Sequence, residues 1–120
     1  MIKQNKDLYN SKINKNKMAG YAISKNKVKI RLTDERWFHI VESHDYMSGL
    51  SEVVLETINK PEEILEGAKD EFIAIQKYKN KHIVVIYKEV SKKDGFVITA
   101  FITSKIAKVK NNRKAIWKKQ

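Results

Sequence analysis

The sequence predicts an α+β domain in which an N-terminal strand and two helices pack on a three- to four-stranded antiparallel sheet. Apolar residues recur at helical spacing in two segments between Asp34 and Asn59, and the period drops to two between Glu71 and Thr103. A length of 120 residues with no cysteine suits a single core held without disulfides or thiolate zinc sites.

Taken in order, residues 1–17 read as a flexible basic arm, because they offer little to bury beyond Leu8, Tyr9 and Ile13. Residues 18–120 form the domain. Tyr21 to Leu32 is expected to be extended, with Val28, Ile30 and Leu32 on one face and Lys29 and Arg31 on the other. Thr33 is a candidate N-cap, Asp34 and Glu35 place negative charge in the first turn, and Leu32 can staple onto Trp37. The helix that follows carries Trp37, Ile40 and Val41 as its apolar stripe and reaches His44. Ser51 offers a second cap, with Leu50 and Leu55 as its staple and Val54, Leu55 and Ile58 facing inward. Asn59 and Pro61 end that helix, and 62–65 reads as one more helical turn before Gly67.

Three strands follow. Ile73 and Ile75 share a face in the first, Ile83, Val85 and Tyr87 in the second, and Phe96, Ile98, Ala100 and Ile102 in the third. Ile73, Val85 and Ile98 are expected to face Trp37, Ile40 and Leu55. The opposite face would then combine Gln76, Tyr78, Lys88, Thr99 and Thr103 with apolar Val84, Ile86 and Phe101.

The net charge of +11 is concentrated at the ends. Residues 1–29 hold eight lysines against Asp7 and residues 105–120 hold seven basic groups and no acid, whereas 30–104 is slightly acidic. Clustered lysines release counterions from a phosphate backbone, so RNA or DNA is the first partner to consider. An acidic membrane or partner, or a lysine-biased composition serving simple solubility, would account for the same charge. No run approaches a bilayer span and the first residues are polar, which points to a cytoplasmic protein with no membrane partner.

Of the three histidines, His82 opens a strand after a lysine-rich turn and reads as an exposed residue. His39 lies off the apolar stripe, either contacting Glu35 or Ser43 or facing a ligand. His44 continues the stripe at the last turn, beside a polar loop that begins with Asp45 and Tyr46, and reads either as a partly buried hydrogen-bond donor or as a group that substrate can reach. His39 and His44 are five apart, so they do not share a helix side, and no other metal motif, phosphate-cradling glycine run or serine elbow occurs.

The run Ile30, Arg31, Leu32, Thr33, with Arg36, Trp37, His39, Ile40 and His44, then Pro61 with Glu62, and Gly95 to Thr103 reading GFVITAFIT, resembles the phage-associated branch of the barnase, EndoU, colicin and RelE-like nuclease superfamily. The resemblance covers residues 28 to about 106. It implies an RNase-like arrangement of helices followed by an antiparallel sheet, and metal-independent cleavage of RNA without a cofactor. It also implies that His44 is the helix-end histidine and Thr99 the strand hydroxyl. Members usually carry R-H-P-E at the helix end, where this chain has Ser43, His44, Asp45 and Tyr46.

Cleavage of RNA by its own 2′-hydroxyl needs a proton acceptor, a proton donor and positive charge around phosphorus. A histidine can supply either proton role, and Arg31 or Lys88 the charge. Thr99 and Thr103 can donate to phosphate oxygens, and Tyr78 or Phe101 can stack on a base. His39 and Lys105, which opens the basic C-terminal segment, complete the expected substrate contacts. The expected function is a toxin-like endoribonuclease acting on single-stranded RNA, with room for a neutralising protein partner. The alternatives are a non-catalytic nucleic-acid-binding module and, third, a protein-interaction domain.

Overall fold

The computed structural model describes residues 18–120; the basic arm expected over 1–17 lies outside the described residues. The chain runs β1 (Met18–Ile23), β2 (Lys29–Thr33), α1 (Asp34–Ser43), a 3-10 turn (Asp45–Met47), α2 (Ser51–Asn59), β3 (Glu63–Glu66), β4 (Glu71–Tyr78), β5 (Lys81–Glu89), β6 (Gly95–Thr103), α3 (Ile106–Lys110) and β7 (Ala115–Lys118). All these strands join one sheet in the order β1-β2-β6-β5-β4-β3-β7. Neighbours are antiparallel except β2 and β6, which pair in parallel at Ile30–Gly95 and Arg31–Phe96.

The domain is α+β, but the expected two helices on a three- to four-stranded antiparallel RNase-like sheet must be corrected to three helices and a seven-stranded mixed sheet among the described residues. The extra strands are short and their pairing, not their period, creates them. Tyr21 to Leu32 is a hairpin. Buried Ser24 closes it by donating its N–H to the Val28 carbonyl at 2.9 Å and its hydroxyl to Glu89 at 2.6 Å, while Lys27 takes a positive φ. The expected helical turn at 62–65 is instead β3, placed by the Glu62 N–H on the Ile75 carbonyl and by the Ile64–Ala74 register. β7 is drawn from the lysine-rich C-terminal segment, and Glu63 holds Lys110 at 2.8 Å and Lys118 at 3.8 Å.

Helix α1 starts as its residues dictate, with the Thr33 hydroxyl accepting the Arg36 N–H at 3.1 Å. For α2 the cap position is Leu50, without a side-chain bond, and Ser51 is the first helical residue. Both helices cover one face of the sheet, where Ile40, Val54 and Ile58 pack on Ile30, Leu32, Ala74, Ile83, Val85, Tyr87, Val97 and Ala100. Burial pushes the Tyr87 hydroxyl far above its ordinary pKa, and its ring stacks on Phe72 at 5.3 Å. Gly95 marks the closest approach in the sheet: a Cβ there would meet the Lys88 carbonyl at 2.4 Å and Ile30 Cδ1 at 2.7 Å. Only glycine lets β6 enter between β2 and β5.

A second, smaller cluster lies on the other face, where Leu65, Ile73, Ile75 and Val84 are covered by Ile106 and Val109 of α3. The expected common orientation of Ile73, Val85 and Ile98 is therefore corrected. Ala74 stands opposite Val85 and turns with it toward the helices, so Ile73 turns away. Both faces of β4 are apolar, and period two alone cannot choose between them. Between Ile86 and Tyr87 the register with β6 slips by one residue at a bulge, which sends Val97 into the core in place of Ile98. Among the described residues no helix is long and apolar enough to cross a membrane.

Candidate active site

Strand alternation sorts the chemically useful residues onto faces. Ile30 and Leu32 point into the helix-side core, so Arg31 between them points away. Val85 and Tyr87 do the same for Lys88 and Ile86, and Ala100 for Thr99 and Phe101. The register then stacks these residues in rows: Arg31, Phe96 and Lys88; Thr99 and Ile86; Phe101 and Val84; Thr103 and His82. From the Phe96 row to Thr103 the column runs roughly 20 Å, at about 3.3 Å per residue. α3 covers the β3–β4 side together with Val84 of the column, and Ile86 and Phe101 pack against that cluster, whereas Lys88, Thr99, Thr103 and Phe101 itself stay partly exposed.

His44 reaches this column from the end of α1. Its N–H closes the helix on the Ile40 carbonyl at 2.8 Å, and its ring lies 6.1 Å from that of Phe101, tilted by 41°. The next turn returns Tyr46 so that its Oη is 3.3 Å from His44 Nδ1 and 3.4 Å from both the N and the O of Ile102 on the outer edge of β6. A phenol has one proton. Donated to the Ile102 carbonyl, it leaves oxygen lone pairs for the Ile102 N–H and for Nδ1–H of His44, the one assignment that satisfies all three contacts. In that assignment Nδ1 carries a proton, and Nε2 is the ring nitrogen left to exchange one.

At the other end, Arg31 is already occupied. Its Nε and NH2 groups fork onto the Asp94 carboxylate at 2.7 and 2.9 Å. This hydrogen-bonded pair raises the guanidinium pKa and holds the carboxyl below the usual carboxylate range. Lys88, opposite both Glu71 and Phe96, is the nearer cation to Thr99 along the column.

A depressed Asp94 pKa means that the folded state binds fewer protons than the unfolded one in acid. Its contribution to stability is thus present above the ordinary carboxylate pKa and is lost as pH falls through the folded value. Asp94→Asn should therefore differ from the parent in thermal unfolding at every pH above the ordinary carboxylate range, and the difference should shrink as the pH is lowered below it. The same change releases the Arg31 charge. RNA affinity should rise and the salt dependence steepen by up to about 0.7 in log–log slope; unchanged affinity and slope would show that Arg31 does not meet phosphate.

The remaining expected residues are spread more widely. His39 is exposed on α1 and lies 3.6 Å from Glu42. The Thr103 hydroxyl accepts the N–H of Lys105 at 3.0 Å, which places that exposed lysine at the start of α3 beside the column. Gln76 and Tyr78, expected on the same face as Thr99, are instead on the helix side: Gln76 donates to the Lys60 carbonyl at 2.6 Å and Tyr78 packs against the larger core. Tyr78 and Tyr46 both line a cavity of about 500 Å³ at that end of the sheet. Tyr46 and Asp94 are members of the candidate site that sequence reasoning passes over. Tyr46 had a signal in its position two residues after His44; Asp94 had none, being 63 residues from Arg31.

Among the described residues no three His, Cys, Asp or Glu side chains gather closely enough to hold a metal ion. No protein-family model matches the chain, and neither a curated protein nor a solved structure shows significant similarity to it.

Proposed function

We propose that this protein is an endoribonuclease that cleaves single-stranded RNA by general acid–base chemistry at His44. The observation that carries the reading is the position of that imidazole. It is oriented through Nδ1 by Tyr46 and stands beside Phe101 at the edge of a partly exposed column bearing Thr99 and Lys88.

A base stacked on Phe101 brings its ribose toward His44. Nε2 accepts the 2′-hydroxyl proton, the 2′-oxygen bonds to phosphorus, and the bond from phosphorus to the 5′-oxygen breaks, with the departing oxygen taking a proton from water. The products are a 2′,3′-cyclic phosphate and a 5′-hydroxyl. Thr99 donates to a phosphate oxygen and Lys88 balances the charge that grows there. The resemblance to phage-associated nucleases supports the same chemistry, and the basic segment from Lys105 onward supports a polyanionic substrate.

End-group analysis tests it. The full chain, incubated in chelator with a panel of single-stranded RNAs, should release fragments with cyclic phosphate and 5′-hydroxyl ends. RNA that is retained at low salt but never cut across the panel would replace the enzyme with a nucleic-acid-binding module.

A further inference from the structure

The cavity at the β4–β5 turn has a composition that the cleavage chemistry does not use. Tyr46 and Tyr78 supply two aromatic walls, and Leu50 and Ile102 add apolar lining. The tight turn adds exposed Lys79, Asn80 and Lys81, with Lys79 at a positive φ and its ammonium 5.5 Å from the Tyr78 ring centre. Among the described residues the lining contains two lysines and no carboxylate. Its volume of about 500 Å³ is in the range of small-ligand sites.

Aromatic faces, an amide with both donor and acceptor, and two ammonium groups on one rim match a nucleoside phosphate: a base to stack, an edge to hydrogen-bond and a phosphate to neutralise. Tyr46 ties this cavity to the proposed active site, because the hydroxyl that orients His44 belongs to a ring that lines the cavity. The column ends at Thr103 opposite His82 on the other face of the sheet, whereas Ile102, Leu50 and Tyr78 place the cavity on the helix side, so a strand leaving the column rounds the β4–β5 end of the sheet to reach it.

We propose that this cavity is a nucleotide subsite. It takes one unstacked nucleotide of the RNA strand beyond the scissile phosphate, its base between Tyr46 and Tyr78 and its phosphate at Lys79 and Lys81. The proposal rests on the reading of the protein as a ribonuclease and identifies where that enzyme grips the flanking strand. Asn80 supplies the contact to the base edge.

The test uses the full chain and three probes: 5′-AMP, 5′-CMP and inorganic phosphate, followed by amide chemical shifts. Mononucleotides should move Tyr46, the 78–81 turn and Ile102, and phosphate alone should bind at least about tenfold more weakly, because stacking contributes that much. The exposed pair Lys79→Asn with Lys81→Gln should weaken mononucleotide binding about tenfold and raise KM for RNA by a similar factor, more than it lowers kcat. Tyr78→Leu keeps apolar packing against the core and should lose the base contribution, so that nucleotide and phosphate bind alike. Shifts confined to other residues, or phosphate binding as tightly as nucleotide to the parent protein, would overturn the subsite. Mononucleotide binding at these residues without RNA cleavage would uphold it while removing the enzyme. RNA cleavage with KM unchanged in the lysine variant would remove the subsite and leave the enzyme.

Discussion

Replacing His44 with alanine should lower turnover on single-stranded RNA by roughly 10²- to 10⁴-fold, the range general acid–base catalysis contributes. RNA affinity and the thermal transition should change little, since His44 is only partly buried and its ring lies between exposed Tyr46 and half-buried Phe101. Tyr46→Phe removes the acceptor for Nδ1–H and should cost about tenfold in turnover, because the ring then loses the contact that selects its tautomer. Thr99→Val should cost about as much by removing one donor near phosphate. Turnover unchanged in the His44 variant would move the chemistry elsewhere on the column; a fall matched by an equal fall in folded fraction would mean that His44 supports the helix end instead.

The second large effect concerns the core. Ile83→Ala should destabilise the domain by about 2–5 kcal/mol in denaturant unfolding, because Ile83 is fully buried on β5 within the helix-side core. Ile98→Ala should cost well under half of that, since Ile98 is half-exposed at the bulge and joins neither cluster. Equal losses would place Ile98 in the core and remove the register slip.

That contrast shows where the sequence is readable. Thr33 followed by two acids and a helical stripe defines α1, and alternation over eight or nine residues defines β4, β5 and β6. Runs of four to six residues, such as glycine-containing β1 and the glutamate- and lysine-bearing β3 and β7, are too short to show a period of their own and become strands only through their partners. Ile73 and Ile75 could be placed on the wrong face because β4 is apolar on both, and a single bulge reverses the parity of β6 before Thr99.

The site was legible in its residue types more than in its geometry. His44 at a helix end and the hydroxyls of β6 are visible as patterns. Arg31 forked onto Asp94, and Tyr46 bridging His44 to Ile102, depend on pairs that only the folded chain brings together. Tyr78 left the expected face with the rest of its strand register and joined the cavity instead.

The claim that the RNA supplies its own nucleophile at His44 is tested most directly by a DNA strand containing one ribonucleotide, incubated with the full chain in chelator. Cleavage should occur only at the phosphate following that ribose, leave a 2′,3′-cyclic phosphate, and disappear when the same position is 2′-deoxy or 2′-O-methyl. Cutting at deoxy positions, or dependence on an added divalent ion, would contradict the account.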